Sequence, residues 1–243
     1  MTETPVDGPV PRYELATWRD ELGVVAGITG TGDSGTPFDL GLAQTGPAGA
    51  MLDRWGALRR AVPGFRGIVV SRQVHDIRVL WHDETSGLGI HEGFDGHATT
   101  ATGLLLAVTA ADCIPIYLVD PVRRAVALLH AGWRGTAAGI LEAGLNQLVR
   151  RGSNVENVLV HCGVGICGSC YQVGSEVFAG CGLPAPETGR GNLDLRNVLV
   201  QQARGHGVDS VSTSPFCSKH DPGFFSHRGG HQGRMVAYLG LLR

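Results

Sequence analysis

Two rhythms of apolar and polar positions run along this chain. Short apolar runs rich in β-branched residues, bounded by Gly, Pro or Asp, predict strands at 24–28, 67–71, 77–81, 104–109, 114–119, 125–129, 158–162, 208–212 and 234–239. A helical period predicts a helix over 136–150, where Ile140, Leu141, Leu145, Leu148 and Val149 share one face, with Thr136 as N-cap and Gly152 past its end. Residues 194–204, stopped by Gly205, and 50–62, ended by Pro63-Gly64, read as two more helices. Some strands follow one another as hairpins and others are separated by helices, so the expected class is α+β, with mixed sheets flanked by helices rather than a doubly wound parallel sheet. Residues 1–11 are polar and carry proline, which predicts a mobile tail ahead of a single catalytic domain at 12–243.

Composition narrows the functional classes. The chain has 243 residues, 43 % hydrophobic and 17 % charged, long enough to bury roughly three quarters of its unfolded surface without a linker. A formal net charge of −2 and the lack of a basic patch give no reason to expect nucleic acid. The longest apolar runs, 103–108 and 125–129, are far shorter than a bilayer requires, and no apolar signal core opens the chain, so a cytoplasmic protein is expected. Six cysteines in a chain of this size, with no export signal, read as free thiols.

The densest chemistry lies around the hairpin at 114–129. A two-residue turn centred on Pro121-Val122 sets Val119 against Arg124, Tyr117 against Val126 and Cys113 against His130. Opposed side chains of that kind lie close enough to share one Zn²⁺, and equally to form a Cys–His catalytic pair. His75, at a bend between two predicted strands, offers a third ligand, and three ligands plus water is the pattern of a catalytic zinc. Singly, each residue has an ordinary reading: His75 as a hydrogen-bonded structural histidine, Cys113 as a small buried side chain. The predicted helix begins just after His130-Ala131-Gly132-Trp133-Arg134-Gly135, so its amides and Arg134 form a candidate anion site. An Arg134 that caps carbonyls or pairs with a carboxylate is the alternative. Arg228 and Arg234 are further phosphate candidates, each with a salt bridge as its plain reading.

Several words occur in order: Gln73-Val74-His75, Ala110-Ala111-Asp112-Cys113-Ile114-Pro115, the His130-to-Gly135 word, the 163–174 run that contains Cys170-Tyr171-Gln172-Val173-Gly174, and the closing Phe224-Phe225-Ser226-His227-Arg228 with Gly233-Arg234-Met235. Together they resemble the multicopper polyphenol oxidase, or laccase-domain, family from about Gly23 to the C-terminus. The resemblance implies a fold like that of the cytotoxic necrotizing factor deamidases and one zinc at His75, Cys113 and His130. It further implies phosphorolysis of adenosine, inosine, guanosine and methylthioadenosine, with phosphate as co-substrate, and deamination of adenosine. For deamination Asp112 is the candidate carboxylate to move protons, provided the strand end bends to bring it beside Cys113. Two rivals stand beside this reading: a metal-free cysteine hydrolase using Cys113 and His130, and a zinc-stabilised binding protein without turnover.

Copper is not expected. Multicopper sites are built from many imidazoles, largely as His-x-His pairs, and none occurs among the ten histidines. Two other sets have partial metal spacing. Cys167-x-x-Cys170 lacks a second Cys-x-x-Cys and lies in a family motif to which the resemblance assigns no metal. Cys217, His220, His227 and His231 are interrupted by glycines 229, 230 and 233, which argue against a ligand-bearing helix, and the resemblance places Tyr at the position of His227. The chain also departs from the family's Thr-Thr-Arg word at Thr29-Gly30-Thr31-Gly32, and from its Ser-Leu-Asn-Leu-Gly word at Phe38-Asp39-Leu40-Gly41, which bears on substrate range rather than on the metal.

Overall fold

The computed structural model describes residues 1–33, 35–42, 48–84 and 86–243. In chain order its elements begin with β1 (Thr4–Val6), β2 (Arg12–Glu14), α1 (Ala16–Leu22), β3 (Val24–Thr29), α2 (Ala48–Ala61), β4 (Gly67–Arg72) and β5 (Val79–His82). The middle third holds β6 (Gly87–Glu92), β7 (Gly96–Thr99), β8 (Leu104–Ala110), β9 (Ile114–Asp120), β10 (Ala125–Ala131), α3 (Trp133–Ala138) and α4 (Ile140–Val149). The chain continues with β11 (Leu159–Cys162), β12 (Gln172–Gly174), α5 (Ser175–Gly180), β13 (Arg190–Asn192), α6 (Leu195–Gly205), β14 (Ser210–Thr213) and β15 (Met235–Leu241).

Two mixed sheets dominate. One runs β1-β2-β3-β15-β8-β4-β6, the other β14-β11-β9-β10-β7-β5, and β12 and β13 form a separate ribbon. Among the named strands, parallel pairing joins β4 with β6 and β8, β5 with β7, and β11 with β14. The sheets face each other: Leu104, Leu106 and Val108 of β8 and Leu239 of β15 share a core with Tyr117, Val119, Val126 and Leu128 of the opposite sheet. Alternate residues of the same strands point outward, Leu105 and Ala107 toward Trp55 and Leu58 of α2, and Leu118 and Leu129 toward α4 and α6. Four layers result, helix, sheet, sheet and helix, and central strands buried on both faces explain why 104–108 and 125–129 read as unbroken apolar runs. Among the described residues no helix is long and apolar enough to cross a membrane.

Three expectations are corrected. The N-terminal residues do not trail free: β1 pairs with β2, Val10 is fully buried, and the buried Glu3 carboxylate accepts hydrogen bonds from His161 (3.0 Å) and Ser214 (2.8 Å). The helix expected over 136–150 is two, broken at Gly139 (φ 93°), and it starts at Trp133 with Gly132 as N-cap; the Thr136 hydroxyl instead donates back to the Gly132 carbonyl. The β9–β10 hairpin is shifted by two residues, so that His130 faces Pro115 and Ala125 faces Asp120. Its turn spans four residues because the Asp120 carboxylate accepts the amides of Val122 and Arg123 while Arg124 turns left-handed (φ 48°).

Candidate metal centre and active-site cavity

His75, Cys113 and His130 converge although the hairpin register differs from expectation. A shift of two residues keeps every side chain on its face, and Cys113 sits just before β9, where Asp112 (φ 87°) bends the chain as it crosses from one sheet to the other. His75 lies on another such crossing, between β4 and β5. One ligand atom from each of the three residues falls within 4.8 Å of the others, and Cys113 Sγ is 3.9 Å from His75 Nε2. A tetrahedral zinc separates its sulfur and nitrogen ligands by roughly 3.5 Å, so this N₂S set fits the ion with a small contraction. Gly132 makes the approach possible: a Cβ there would stand 2.9 Å from His75 Cδ2 and 3.1 Å from Cys113 Sγ.

Asp95, which the sequence reading missed, organises the cluster. Fully buried, it accepts the His75 amide and His130 Nδ1 on Oδ1, both at 2.9 Å, and the amides of Val74 and Asp76 on Oδ2, both at 3.0 Å. Three successive N–H groups wrapped around a carboxylate form an anion nest, and they hold His75 at φ 62°, an unfavourable angle for a residue with a Cβ. The bond to Nδ1 fixes the His130 tautomer and leaves Nε2 for Cys113 or a metal. Burial works against the Asp95 carboxylate, but His130 and the Asp76 and Val74 amides hold its pKa below the usual value.

The same field activates Cys113. Burial raises its pKa, yet the charge of His130 and hydrogen bonds from His130 and His75 outweigh that and lower it to about 6. For His130, burial lowers the pKa, while the Cys113 thiolate and the Asp95 bond lift it to about 9. Both shifts favour the thiolate–imidazolium form, and the deprotonated sulfur is the form that binds zinc.

The cluster lines a cavity of about 1380 Å³ with Arg72, Arg134, Arg190, Arg228 and Arg234 around it. Arg134, in the first turn of α3, lies exposed with its guanidinium 4.6 Å above the Trp133 ring, and hydrogen-bonds to none of the described residues. Arg228 sits 5.0 Å over Tyr171 and donates to the Gln172 carbonyl. Arg234 spends Nη1 on the Gln232 and Gly233 carbonyls. Of the three arginines expected to hold phosphate, Arg134 is thus the freest.

Asp112 has a different setting from the one expected of a proton carrier. Its Oδ1 accepts the hydroxyls of Ser218 and Ser226 and its Oδ2 the Arg228 amide, all at 2.7 Å. The left-handed bend that delivers Cys113 to the histidines turns the Asp112 carboxylate into the 218–228 segment, which it anchors. The remaining metal-spaced residues regroup. Cys167 and Cys170 join Cys217 and His220 in a second set of mutually close ligand atoms, whereas His231 accepts the Ser226 amide and His227 lines the cavity.

Comparison with known proteins agrees with the fold and the words quoted above. The family described as multi-copper polyphenol oxidoreductase laccase matches residues 36–242. A purine nucleoside phosphorylase of Deinococcus radiodurans is 36% identical over 179 residues, 70% of this chain and 69% of that protein. Adenosine deaminase RL5, from an unknown prokaryotic organism, is 34% identical over 198 residues, 72% of this chain and 75% of that protein. The crystal structure of YlmD from Geobacillus stearothermophilus superposes with a TM-score of 0.85 at 28% identity, covering 99% of this chain and 100% of that one.

Proposed function

The chain belongs to the multi-copper polyphenol oxidoreductase laccase family, and from that premise we propose that it is a zinc-dependent purine-nucleoside enzyme that phosphorolyses adenosine, inosine, guanosine and methylthioadenosine and deaminates adenosine. The observation that carries the reading is the N₂S cluster of His75, Cys113 and His130 opening into a cavity edged by five arginines. The names of the relatives supply the reaction pair. A copper oxidase would need more imidazoles than this site offers.

Zinc held by His75 Nε2, Cys113 Sγ and His130 Nε2 would supply Lewis acidity at the cavity wall, polarising substrate oxygen and acidifying water. Asp95 holds the His130 Nδ1 proton, so that Nε2 is the nitrogen aimed at the cluster, and fixes the His75 turn. In phosphorolysis a phosphate oxygen attacks the ribose anomeric carbon, the bond to the purine nitrogen breaks, and the base leaves with the electron pair and takes a proton. Holding a dianion against that carbon is work for arginines: Arg134 binds it through a free guanidinium, and Arg228 and Arg234 add charge from the opposite segment. Deamination needs no bound anion, so the two reactions share Cys113 but not Arg134. Asp112 serves as a positioning residue that fixes Arg228 through its amide.

The depressed Cys113 thiol beside His130 favours one rival, a metal-free cysteine hydrolase. Product analysis separates the two. The purified protein should cleave inosine only with phosphate, releasing hypoxanthine and ribose 1-phosphate, and convert adenosine to inosine, with both activities lost in Cys113→Ser along with the zinc of the cavity cluster. Arg134→Gln should raise the KM for phosphate about tenfold, the weight of one lost charge-assisted contact of roughly 1.4 kcal/mol, and spare deamination. Inosine cleavage to free ribose irrespective of phosphate, or full activity in metal-stripped protein, refutes the reading.

A further inference from the structure

The second cluster has the arrangement of a closed metal site. Cys167 and Cys170 flank one tight turn, and Cys217 and His220 flank another, so a Cys-x-x-Cys knuckle faces a Cys-x-x-His knuckle. His220 Nδ1 is 3.5 Å from Cys170 Sγ and 3.9 Å from Cys167 Sγ, and all four ligand atoms lie within 4.8 Å of one another. In a tetrahedral zinc site sulfur–sulfur and sulfur–nitrogen edges are roughly 3.5–3.8 Å.

The surroundings are those of thiolate ligands. The Cys167 amide donates to Cys217 Sγ at 3.3 Å, and the Ser169 hydroxyl lies 3.1 Å from Cys167 Sγ. On the far side of the His220 ring, Nε2 is 3.9 Å from the Asp221 carboxylate, which also accepts the Cys217 amide. At that distance the carboxylate places negative charge beside the ring without hydrogen-bonding to it. Backbone pairing holds the two knuckles in place: a parallel bridge joins Gly165 to Cys217, and the Ser218 amide donates to the Gly165 carbonyl. Cys217 is buried, while the His220 side chain is 56% exposed and gives an ion a way in.

The geometry points to a structural Cys₃His zinc site, distinct from the cavity cluster and with four protein ligands leaving no open position. It clamps the segment carrying Tyr171 and Gln172, one wall of the cavity, to the segment carrying Ser218 and Ser226, which hold Asp112. Sequence reading divides these ligands into two incomplete sets; the Gly165–Cys217 bridge merges them.

The test counts zinc in the full-length protein, purified under reductant, loaded with zinc and freed of loose metal by gel filtration. Wild type is expected to hold two zinc ions per chain. Cys113→Ser should keep one, and Cys170→Ser and His220→Ala, which alter partly exposed residues, should each keep the other. Loaded with cobalt instead, Cys113→Ser should show intense thiolate-to-metal charge transfer and the visible bands of a tetrahedral ion, absent when Cys170→Ser is added. A folded Cys113→Ser protein without metal, or one whose metal ignores both Cys170→Ser and His220→Ala, overturns the proposal. The same counts keep the two sites apart: zinc lost only with Cys113→Ser refutes this site alone, and zinc lost only with Cys170→Ser refutes the cavity site alone.

Discussion

Replacing Asp95 by Asn tests whether one buried carboxylate holds the metal centre together. The carboxylate accepts four N–H groups in two pairs, His75 N with His130 Nδ1 and Val74 N with Asp76 N. An amide has one acceptor oxygen, so in either orientation one pair meets an NH₂ group. If the oxygen stays on the backbone pair, His130 Nδ1 must accept from the amide, its proton moves to Nε2, and the nitrogen meant for the metal is blocked. If it serves His130, two amides of the nest are left unpaired in a site closed to water. Hydrogen bonds to a charged group contribute at least about 1.5 kcal/mol each, so two lost bonds cost about 3 kcal/mol of stability, and loss of the group orienting a ligand weakens zinc binding about 10- to 100-fold. Zinc competition against a chromophoric chelator at pH 7.5 measures the second effect, and urea unfolding of metal-free protein the first. Because the folded carboxyl pKa is depressed, its stabilising contribution is full above the ordinary carboxylate pKa of about 4 and is lost as pH falls through the folded value. The wild-type margin over Asp95→Asn should therefore narrow only in acid. Zinc affinity within twofold of wild type would refute the reasoning.

Two further substitutions probe separate features. Gly132→Ala suits the local backbone (φ −80°), so its effect should fall on the ligands its methyl would crowd: zinc affinity at least about tenfold lower and stability reduced by about 1–3 kcal/mol, with unchanged circular dichroism; undiminished zinc affinity would show that the close approach is irrelevant. A buried chain runs from Ser71 through His97 to His82, with contacts of 3.1 and 2.9 Å. Burial first, then the charge of His91, lowers the His82 pKa to about 4. Stability should accordingly be full above pH 6.5 and drain as pH falls toward 4, by about 2 kcal/mol between pH 7 and pH 5, with a visibly shallower slope in His82→Gln; identical slopes in urea midpoints against pH would exclude His82 as a contributor.

Much of this molecule was legible because its central strands are buried on both faces. Unbroken apolar runs located β8, β9, β10 and β15, and face parity brought Cys113 to His130 even though Asp120 drew the turn out to four residues and moved the register by two. What stayed hidden depends on pairings between distant segments. β6 and β7, with sequences Gly-Leu-Gly-Ile-His-Glu and Gly-His-Ala-Thr, carry too few apolar residues to stand out. Asp95, inside Gly93-Phe94-Asp95-Gly96, reads as a solvated turn residue because its four partners lie 19 to 35 positions away; the one local sign was an acidic residue between glycines directly before a strand. Asp112 shows the converse hazard, since adjacency to Cys113 suggested shared chemistry while its left-handed backbone separates the two side chains. Two of the crossings between the sheets carry a ligand, β4–β5 with His75 and β8–β9 with Cys113, and each contains a residue with a Cβ at positive φ. Strain at such points persists only where surrounding bonds hold it. Asp95 supplies them for His75; Ser218, Ser226 and the Arg228 amide hold Asp112 and so fix the bend that presents Cys113. The centre is therefore specified less by its three ligands than by the two buried carboxylates that bind the chain around it.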